Sequence, residues 1–305
     1  MQQRITRRTA VALSLLLLFA AVLSMASCVS AGEIWNRLWL GPPDESVDIN
    51  DLILGDGSTE YEINTEGAIP YTGESHEGTD IFYVAPPESP NRNRIIVIDA
   101  GHQLKGSSEP EPNGPGSEVM KPQVSWGATG IYTGQNEYEL NLAVALLLRD
   151  ELISRGYSVV MIRETDNVRI SNMERAEIAN KHNAAVYIRI HANSWTDDTM
   201  RGALTVCQSR SNPYPTCAEH YESSRLLSEL VLDRFCAVTD MEQLPVREMD
   251  DMTGTNWSRV PTTIVEMGFL SNKQDDSLMS GESFRQKAAQ GIADGVDEYF
   301  AALSK

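Results

Sequence analysis

The chain has 305 residues, 41% of them apolar, and a formal net charge of −18. This length and composition allow one large globular domain or two small ones. The acidity excludes nucleic acid as an expected partner, because its phosphates repel an excess of carboxylates.

The first residues are typical of an export signal. Three arginines precede an apolar run over 10–22, which is too short to cross a membrane comfortably. Small residues then lead to Cys28, and this ending resembles the lipobox of bacterial lipoproteins. We predict a lipoprotein-type signal peptide over 1–27, with Cys28 lipidated and the protein held at the outer face of the cell membrane. The alternative is a plain secretory signal that releases the protein to the cell wall.

An acidic segment follows the signal. Residues 29–93 contain thirteen acidic residues against Arg37 and Arg92, several proline and glycine clusters, and few long apolar runs. This composition favours a spacer over a packed domain. We predict a flexible acidic linker over 28–93. In the alternative, Trp35, Trp39 and the apolar patch over 81–84 dock on the domain surface.

From Arg94 to Leu303, strand patterns alternate with helical patterns, which is typical of a single α/β domain. Three apolar, β-branched runs end at chemically active side chains. The carboxyl ends of the strands share one edge in open α/β sheets, so these side chains are expected to meet. The runs that begin at Ile95, Ala185 and Thr262 lead to His102, His191 and Glu266.

Helices are predicted between these strands. Asn136 and Glu139 have the spacing of a capping box before a helix over 137–155. Ser171 and Glu174 repeat this pattern before the next helix. Two more amphipathic helices are predicted over 221–238 and 284–303.

The segment over 103–134 has a different character. It is rich in proline, glycine and serine, shows no sustained periodicity, and separates His102 from Glu137. Loops of this length in compact domains are usually functional or disordered. We predict a long loop that forms a rim or lid over the site.

Two imidazoles and a carboxylate at one sheet edge indicate a metal site. Zinc in hydrolases typically takes three protein ligands and a water whose pKa falls to about 7. His102, His191 and Glu137, in the first turn of a helix, would satisfy this need, and Glu266 is left to move protons. Each residue also has a structural explanation: a hydrogen-bonded turn for each histidine, the helix dipole for Glu137, and an ion pair for Glu266.

Five motifs in order carry a family resemblance. They are Asp99-Ala100-Gly101-His102, Glu137 with Asn141-Leu142-Ala143-Val144-Ala145, Arg175 with Ala179-Asn180, Ile190-His191-Ala192-Asn193, and Val265-Glu266-Met267-Gly268-Phe269-Leu270-Ser271-Asn272. The chain resembles the zinc-dependent N-acetylmuramoyl-L-alanine amidases of the amidase-3 type over 94–303. The resemblance implies a mixed, roughly six-stranded sheet flanked by helices. It also implies that His102, Glu137 and His191 bind Zn²⁺ and that Glu266 is catalytic.

The implied reaction is hydrolysis of the amide between N-acetylmuramic acid and L-alanine in peptidoglycan. A zinc-activated water attacks, and Glu266 acts as general base and then general acid. The expected partners are peptidoglycan and, through the lipid anchor, the membrane. One alternative is a peptidoglycan-binding protein without catalysis, and another is a zinc peptidase that acts within the stem peptide.

The chain departs from the family pattern directly after the first histidine. Gln103 and the long insertion stand where two glycines and an Asp-x-Gly-Ala element usually follow. We expect this change to leave metal binding intact and to alter the shape of the substrate site. Arg247 and Asn193 are predicted to contact substrate, with a simple loop charge as the alternative for Arg247.

The cysteines leave two possibilities open. Besides Cys28, three remain, and Cys207 and Cys217 flank a turn-rich loop that one disulfide could close in an oxidising compartment. The alternative is that all three are free thiols.

Overall fold

The computed structural model describes residues 69–70 and 79–304. Its strands, in chain order, are β1 (Ile69–Pro70), β2 (Thr79–Val84), β3 (Ile95–Ala100), β4 (Ser107–Pro112), β5 (Met120–Val124), β6 (Ser158–Arg163), β7 (Val186–Asn193), β8 (Leu204–Cys207), β9 (Arg247–Glu248) and β10 (Thr262–Phe269). Its helices are α1 (Glu137–Ser154), α2 (Asn172–Lys181), α3 (Pro215–Ala218), α4 (Tyr221–Thr239), α5 (Thr253–Asn256), α6 (Lys273–Met279) and α7 (Glu282–Leu303).

In the described part of the chain, eight strands form one mixed sheet in the order β1-β2-β6-β3-β7-β10-β8-β9. The four central strands, β6, β3, β7 and β10, are parallel. The flanking strands β2 and β8 run antiparallel to their inner neighbours. The two outermost strands have only two residues each, so the predicted mixed sheet of roughly six substantial strands is confirmed.

The central strands are covered on both faces, because successive side chains of a strand point to opposite sides. Ile96 and Ile98 of β3 pack in a large core with α1, α4 and α7. Ile95 and Val97 pack on the other face in a smaller core that includes Ala176 of α2. The continuous apolar run that predicted a buried strand thus serves two cores at once.

The long helices α4 and α7 approach each other closely through glycine. A Cβ added at Gly295 would lie 2.5 Å from the Cα atom of Val231, and one added at Gly291 would lie 2.7 Å from the Cα atom of Phe235. Real side chains do not fit at these distances. The two glycines therefore allow α7 to cover the large core beside α4.

The predicted capping boxes have different outcomes. The Ser171 hydroxyl accepts a hydrogen bond from the Glu174 backbone N–H, and the Glu174 carboxylate accepts one from the Ser171 backbone N–H, so the box at α2 is confirmed. At α1 the prediction is wrong, because Asn136 makes no side-chain cap hydrogen bond. Its amide nitrogen instead donates to the carboxylate of Glu139, at 3.1 Å.

The domain begins earlier than the predicted boundary at Arg94. Strand β2 pairs with β6 in the main sheet, and Ile81, Phe82 and Tyr83 are buried. Burial of three large apolar side chains stabilises a fold by several kcal/mol, which explains why this segment is a strand and not linker. Residues 85–93 of the predicted linker are also described, whereas 28–68, including Cys28, and 71–78 lie outside the described residues, as does the signal peptide over 1–27.

The insertion over 103–134 is more ordered than the predicted loop. Strands β4 and β5 form an antiparallel pair within it. The prediction missed this hairpin because Pro110, Pro112 and Pro122 interrupt the usual strand pattern. Such prolines are tolerated in an isolated pair of strands, where one side of each strand needs no ladder hydrogen bonds.

Cys207, Cys217 and Cys236 are all free thiols, so the disulfide between Cys207 and Cys217 does not form in this structure. Burial raises the pKa of the Cys207 thiol to about 12, which keeps the thiol protonated and unreactive. Cys217 donates a hydrogen bond to the carbonyl of Thr255. Over the described residues, no helix combines the length and the apolar character needed to cross a membrane.

Candidate metal centre

His102 lies just beyond β3 with its backbone in the left-handed region, at φ 60°. A residue other than glycine holds this conformation only when its surroundings fix it. Arg175 supplies that support, because its Nη2 atom donates to the His102 carbonyl at 3.0 Å. The Nδ1 atom of His102 lies 3.1 Å from the Ser125 carbonyl, which can only accept. The Ser125 hydroxyl oxygen lies 3.2 Å from the same nitrogen. A proton on Nδ1 that is donated to the carbonyl leaves the Nε2 lone pair for a metal.

Glu137 is the first residue of α1, and backbone N–H groups orient its carboxylate. Oε2 accepts from Ala128 at 2.8 Å, and Oε1 accepts from Ala192 at 3.2 Å. Burial opposes ionisation of this group, but hydrogen bonds from His102 and His191 outweigh it and hold the pKa of Glu137 well below its usual range. Glu137 is therefore an anion at neutral pH.

His191 projects from β7 toward the same point. Its Nδ1 atom lies 3.3 Å from Oε1 of Glu137 and 3.2 Å from Nε2 of His102. Burial lowers the pKa of His191 to about 4, so the ring is neutral at physiological pH, the form that binds metals. Its Nε2 atom is buried and has no hydrogen-bond partner among the described residues.

The three donor atoms fit one divalent cation. Nε2 of His102 lies 3.0 Å from Oε1 of Glu137, and the other two separations are 3.2 and 3.3 Å. Tetrahedral zinc ligands at about 2.0–2.1 Å from the ion stand about 3.3 Å apart. The predicted His, Glu, His set therefore converges as one group, which is the sole candidate metal cluster of three or more such side chains in the described chain.

Two glycines make room for this convergence. A Cβ on Gly101 would lie 2.3 Å from the His191 ring, so any other residue there would displace that histidine. Gly127 has φ +77°, and a Cβ on it would stand 3.0 Å from the His102 ring and 3.1 Å from Oε2 of Glu137. Both positions let the backbone approach the ligands closely.

Glu266 is brought beside the metal centre by the sheet register. It pairs with His191 across the parallel strands β10 and β7, and both side chains line the same cleft. Burial, with a further effect of the negative charge on Glu137, raises the pKa of Glu266 to about 8. Its Oε2 atom is buried without a hydrogen-bond partner in the described structure. A carboxyl group with this pKa is suited to exchange protons near neutral pH.

The cleft has a volume of about 370 Å³. His102, His191, Glu266, Arg189 and Asn172 contribute to its lining. One wall comes from the insertion, and further lining comes from the segment that leads into α5. The insertion contributes Lys121, Pro122, Val124 and Ser125, and the second segment contributes Asp251, Met252, Thr253 and Gly254. The predicted rim over the site is therefore present, with a hairpin in place of a loop.

The amidase-3 family model, described as N-acetylmuramoyl-L-alanine amidase, matches residues 96–298. The chain belongs to the amidase-3 family. Protein YqiI of Bacillus subtilis is 27% identical over 216 residues, which cover 71% of this chain and 89% of that protein. N-acetylmuramoyl-L-alanine amidase AmiA of Escherichia coli is 25% identical over 243 residues, which cover 68% and 76%.

A crystal structure of another amidase supports the fold of this amidase-3 domain. The crystal structure of the N-acetylmuramyl-L-alanine amidase Ami1 from Mycobacterium smegmatis superposes with a TM-score of 0.61. The two sequences are 24% identical, and the match covers 70% of this chain and 98% of the other. This likeness concerns the fold.

The amidase-3 motif around His102 is held by charged groups that the sequence analysis did not connect. Asp99 is fully buried and accepts from Nη1 of Arg175 at 2.5 Å and from Nε of Arg189 at 2.9 Å. Arg163 donates to the carbonyls of Ala100 and Gly101. The two arginines bound to Asp99 thus join α2 and β7 to β3, and Arg163 holds the backbone before His102. The position of Asp99 three residues before the histidine was the available signal.

The two predicted substrate contacts lie near the cleft but outside the set of described residues that line it. Asn193 ends β7, and its side-chain oxygen accepts from the Ser194 N–H at 2.8 Å. Arg247 is in β9, where burial lowers its pKa to about 10 although Glu266 and Asp251 attract its charge. Their roles in this amidase-3 domain stay predictions.

Proposed function

We propose that this protein is a zinc-dependent N-acetylmuramoyl-L-alanine amidase. The amide bond joining the lactyl group of N-acetylmuramic acid to L-alanine in peptidoglycan is the proposed substrate. The observation that carries the proposal is the convergence of His102, Glu137 and His191 on one point, with Glu266 beside it on the adjacent strand. Membership of the amidase-3 family supports the same conclusion.

His102, Glu137 and His191 would hold the ion through Nε2, Oε1 and Nδ1. When bound, zinc supplies Lewis-acid activation of the amide carbonyl and of water. The protein residues prepare this site: the Ser125 carbonyl offers an acceptor to Nδ1 of His102, and two backbone N–H groups orient Glu137. Such supporting contacts set both the orientation and the basicity of metal ligands.

Glu266 is the proposed proton carrier. As the water oxygen forms a bond to the amide carbon, the ionised Glu266 carboxylate takes one water proton. The carbon–nitrogen bond then breaks, and Glu266 returns that proton to the alanine nitrogen, leaving a lactyl carboxylic acid and a free amine. A group that must both take up and return a proton works best when its pKa is near the working pH, and burial raises the pKa of Glu266 in that direction.

The experiment is a product analysis on purified muropeptides. The zinc-loaded protein is expected to release a peptide that begins with a free alanine amine and a disaccharide with a free lactyl carboxylate, both detected by mass spectrometry. Cleavage that leaves alanine on the lactyl group would identify a peptidase acting within the stem. Tight binding without any product would identify a binding protein, and either result contradicts the proposal.

We also propose that the protein is exported and held at the outer face of the cell membrane by a lipid on Cys28. An acidic spacer would separate this anchor from the domain. The support is the arginine-rich start, the apolar run over 10–22 and the lipobox-like ending. Growth of expressing cells with a labelled fatty acid should label the wild-type protein and not Cys28→Ser. Equal labelling of both proteins, or none of either, contradicts the anchor.

A further inference from the structure

The insertion hairpin is fixed to the domain along both of its strands. The indole N–H of Trp257 donates to the Pro112 carbonyl at 2.8 Å. The side chain of Asn172 donates to the Gln123 carbonyl at 2.7 Å. Because both strands are bound to other elements of the domain, the hairpin is a stationary wall of the cleft. Whatever side chains it presents there are preorganised for a ligand.

Lys121 is the cationic residue of this wall. It lies on β5 and lines the same cleft as His191 and Glu266. Its ammonium group donates to the backbone carbonyl of Asp251 at 2.5 Å and to the carboxylate of the same residue at 3.3 Å. An ammonium group has three N–H donors. One donor of Lys121 therefore has no partner among the described residues, while the other two hold the side chain in place.

The charges around Lys121 favour an anion. Lys121 has one carboxylate contact, with Asp251 at 3.3 Å. The open N–H donor of its ammonium group is therefore available to a second anion. The pair of Lys121 and Asp251 is partly exposed, so an incoming carboxylate is able to approach it from solvent.

We propose that Lys121 binds a carboxylate of the stem peptide and makes the protein selective for it. This inference rests on the proposed function. Glu266 delivers its proton to the alanine nitrogen, so the peptide leaving group must lie beside Glu266, in the cleft that Lys121 also lines. The residue after alanine in peptidoglycan stems is a glutamate joined through its side chain, whose α-carboxylate is either free or amidated. The free carboxylate is the ligand assigned to Lys121.

The test compares two disaccharide-peptide substrates that differ only in amidation of this α-carboxyl group. We expect wild type to prefer the free acid, and Lys121→Gln to lose about tenfold in kcat/KM on the free acid through KM, with little change on the amide. Lys121→Arg should keep the preference, because it keeps the charge. Lys105→Gln removes an exposed lysine of the same insertion outside the cleft and is the matched control.

Salt gives a second measurement. The preference of wild type for the free acid should shrink as ionic strength rises, because exposed charge pairs are screened, whereas Lys121→Gln should show no such dependence. Equal loss on both substrates, or no loss on either, contradicts the role of Lys121 and leaves the amidase proposal intact. A wild-type protein that hydrolyses neither substrate contradicts the proposed function, and the selectivity falls with it.

Discussion

Glu266 and His191 are register partners on the adjacent parallel strands β10 and β7. They come from chain segments 75 residues apart, yet the ladder between the two strands fixes their separation. The proposed metal ligand and the proposed proton carrier are thus positioned by main-chain hydrogen bonds between strands. This relationship makes the role of Glu266 separable from metal binding by mutation.

Glu266→Gln should keep the metal and lose the activity. Gln has nearly the same shape but cannot carry the proton, so kcat is expected to fall by roughly 10²- to 10⁴-fold. Zinc content by elemental analysis should match wild type, and Glu219→Gln, at an exposed position, serves as the control. Substantial residual turnover would show that another group carries the proton.

Removal of the metal should abolish activity and lower thermal stability. An ion bound at a thousand times its dissociation constant stabilises the native state by about 4 kcal/mol. Chelation and dialysis are expected to reduce Tm, and added Zn²⁺ should restore both Tm and turnover. His191→Ala should show neither response, because one ligand is missing. Full activity in protein shown to be free of metal would be incompatible with the proposed site.

The pH dependence of stability should reveal the raised pKa of Glu266 in the metal-free protein. Its pKa is about 8 in the folded state against a model value of 4.5. Between these values the unfolded chain releases the proton and the native state retains it, so unfolding becomes easier as pH rises and the effect levels off above pH 8. Glu266→Gln should lack this loss and become more stable relative to wild type with rising pH. Parallel Tm curves for the two proteins from pH 5 to 8.5 would contradict this expectation.

Asp99→Asn should destabilise the fold strongly. The substitution leaves the guanidinium groups of Arg175 and Arg189 without their buried counterion, a change that typically costs about 3–5 kcal/mol. Urea unfolding of metal-free protein measures this cost apart from zinc binding. The control, Glu177→Gln, breaks an exposed pair with Arg259 and should cost less than about 1 kcal/mol. Similar costs for the two variants would show that the buried cluster carries no special stability.

Local patterns predicted a large part of the fold. The strands that become β3, β7 and β10 are apolar and β-branched over several residues, a pattern that arises from burial on both faces. The box of Ser171 and Glu174 was found for the same reason, since capping depends on residues three apart. The box predicted at Asn136 does not form, because the side chains of Asn136 and Glu139 bond to each other and not to the backbone.

The sequence by itself determined the α/β class, the positions of the candidate metal ligands and the identity of the leftover carboxylate. These features depend on residue type and short-range periodicity, which the chain displays directly. Only the tertiary structure decided that β2 belongs to the sheet, that Asp99 joins two arginines, and that the insertion is a fixed hairpin with Lys121 in the cleft. Each of these features depends on contacts between residues that are distant in the chain. Burial and charge pairing stabilise such contacts, and neither produces a local sequence pattern.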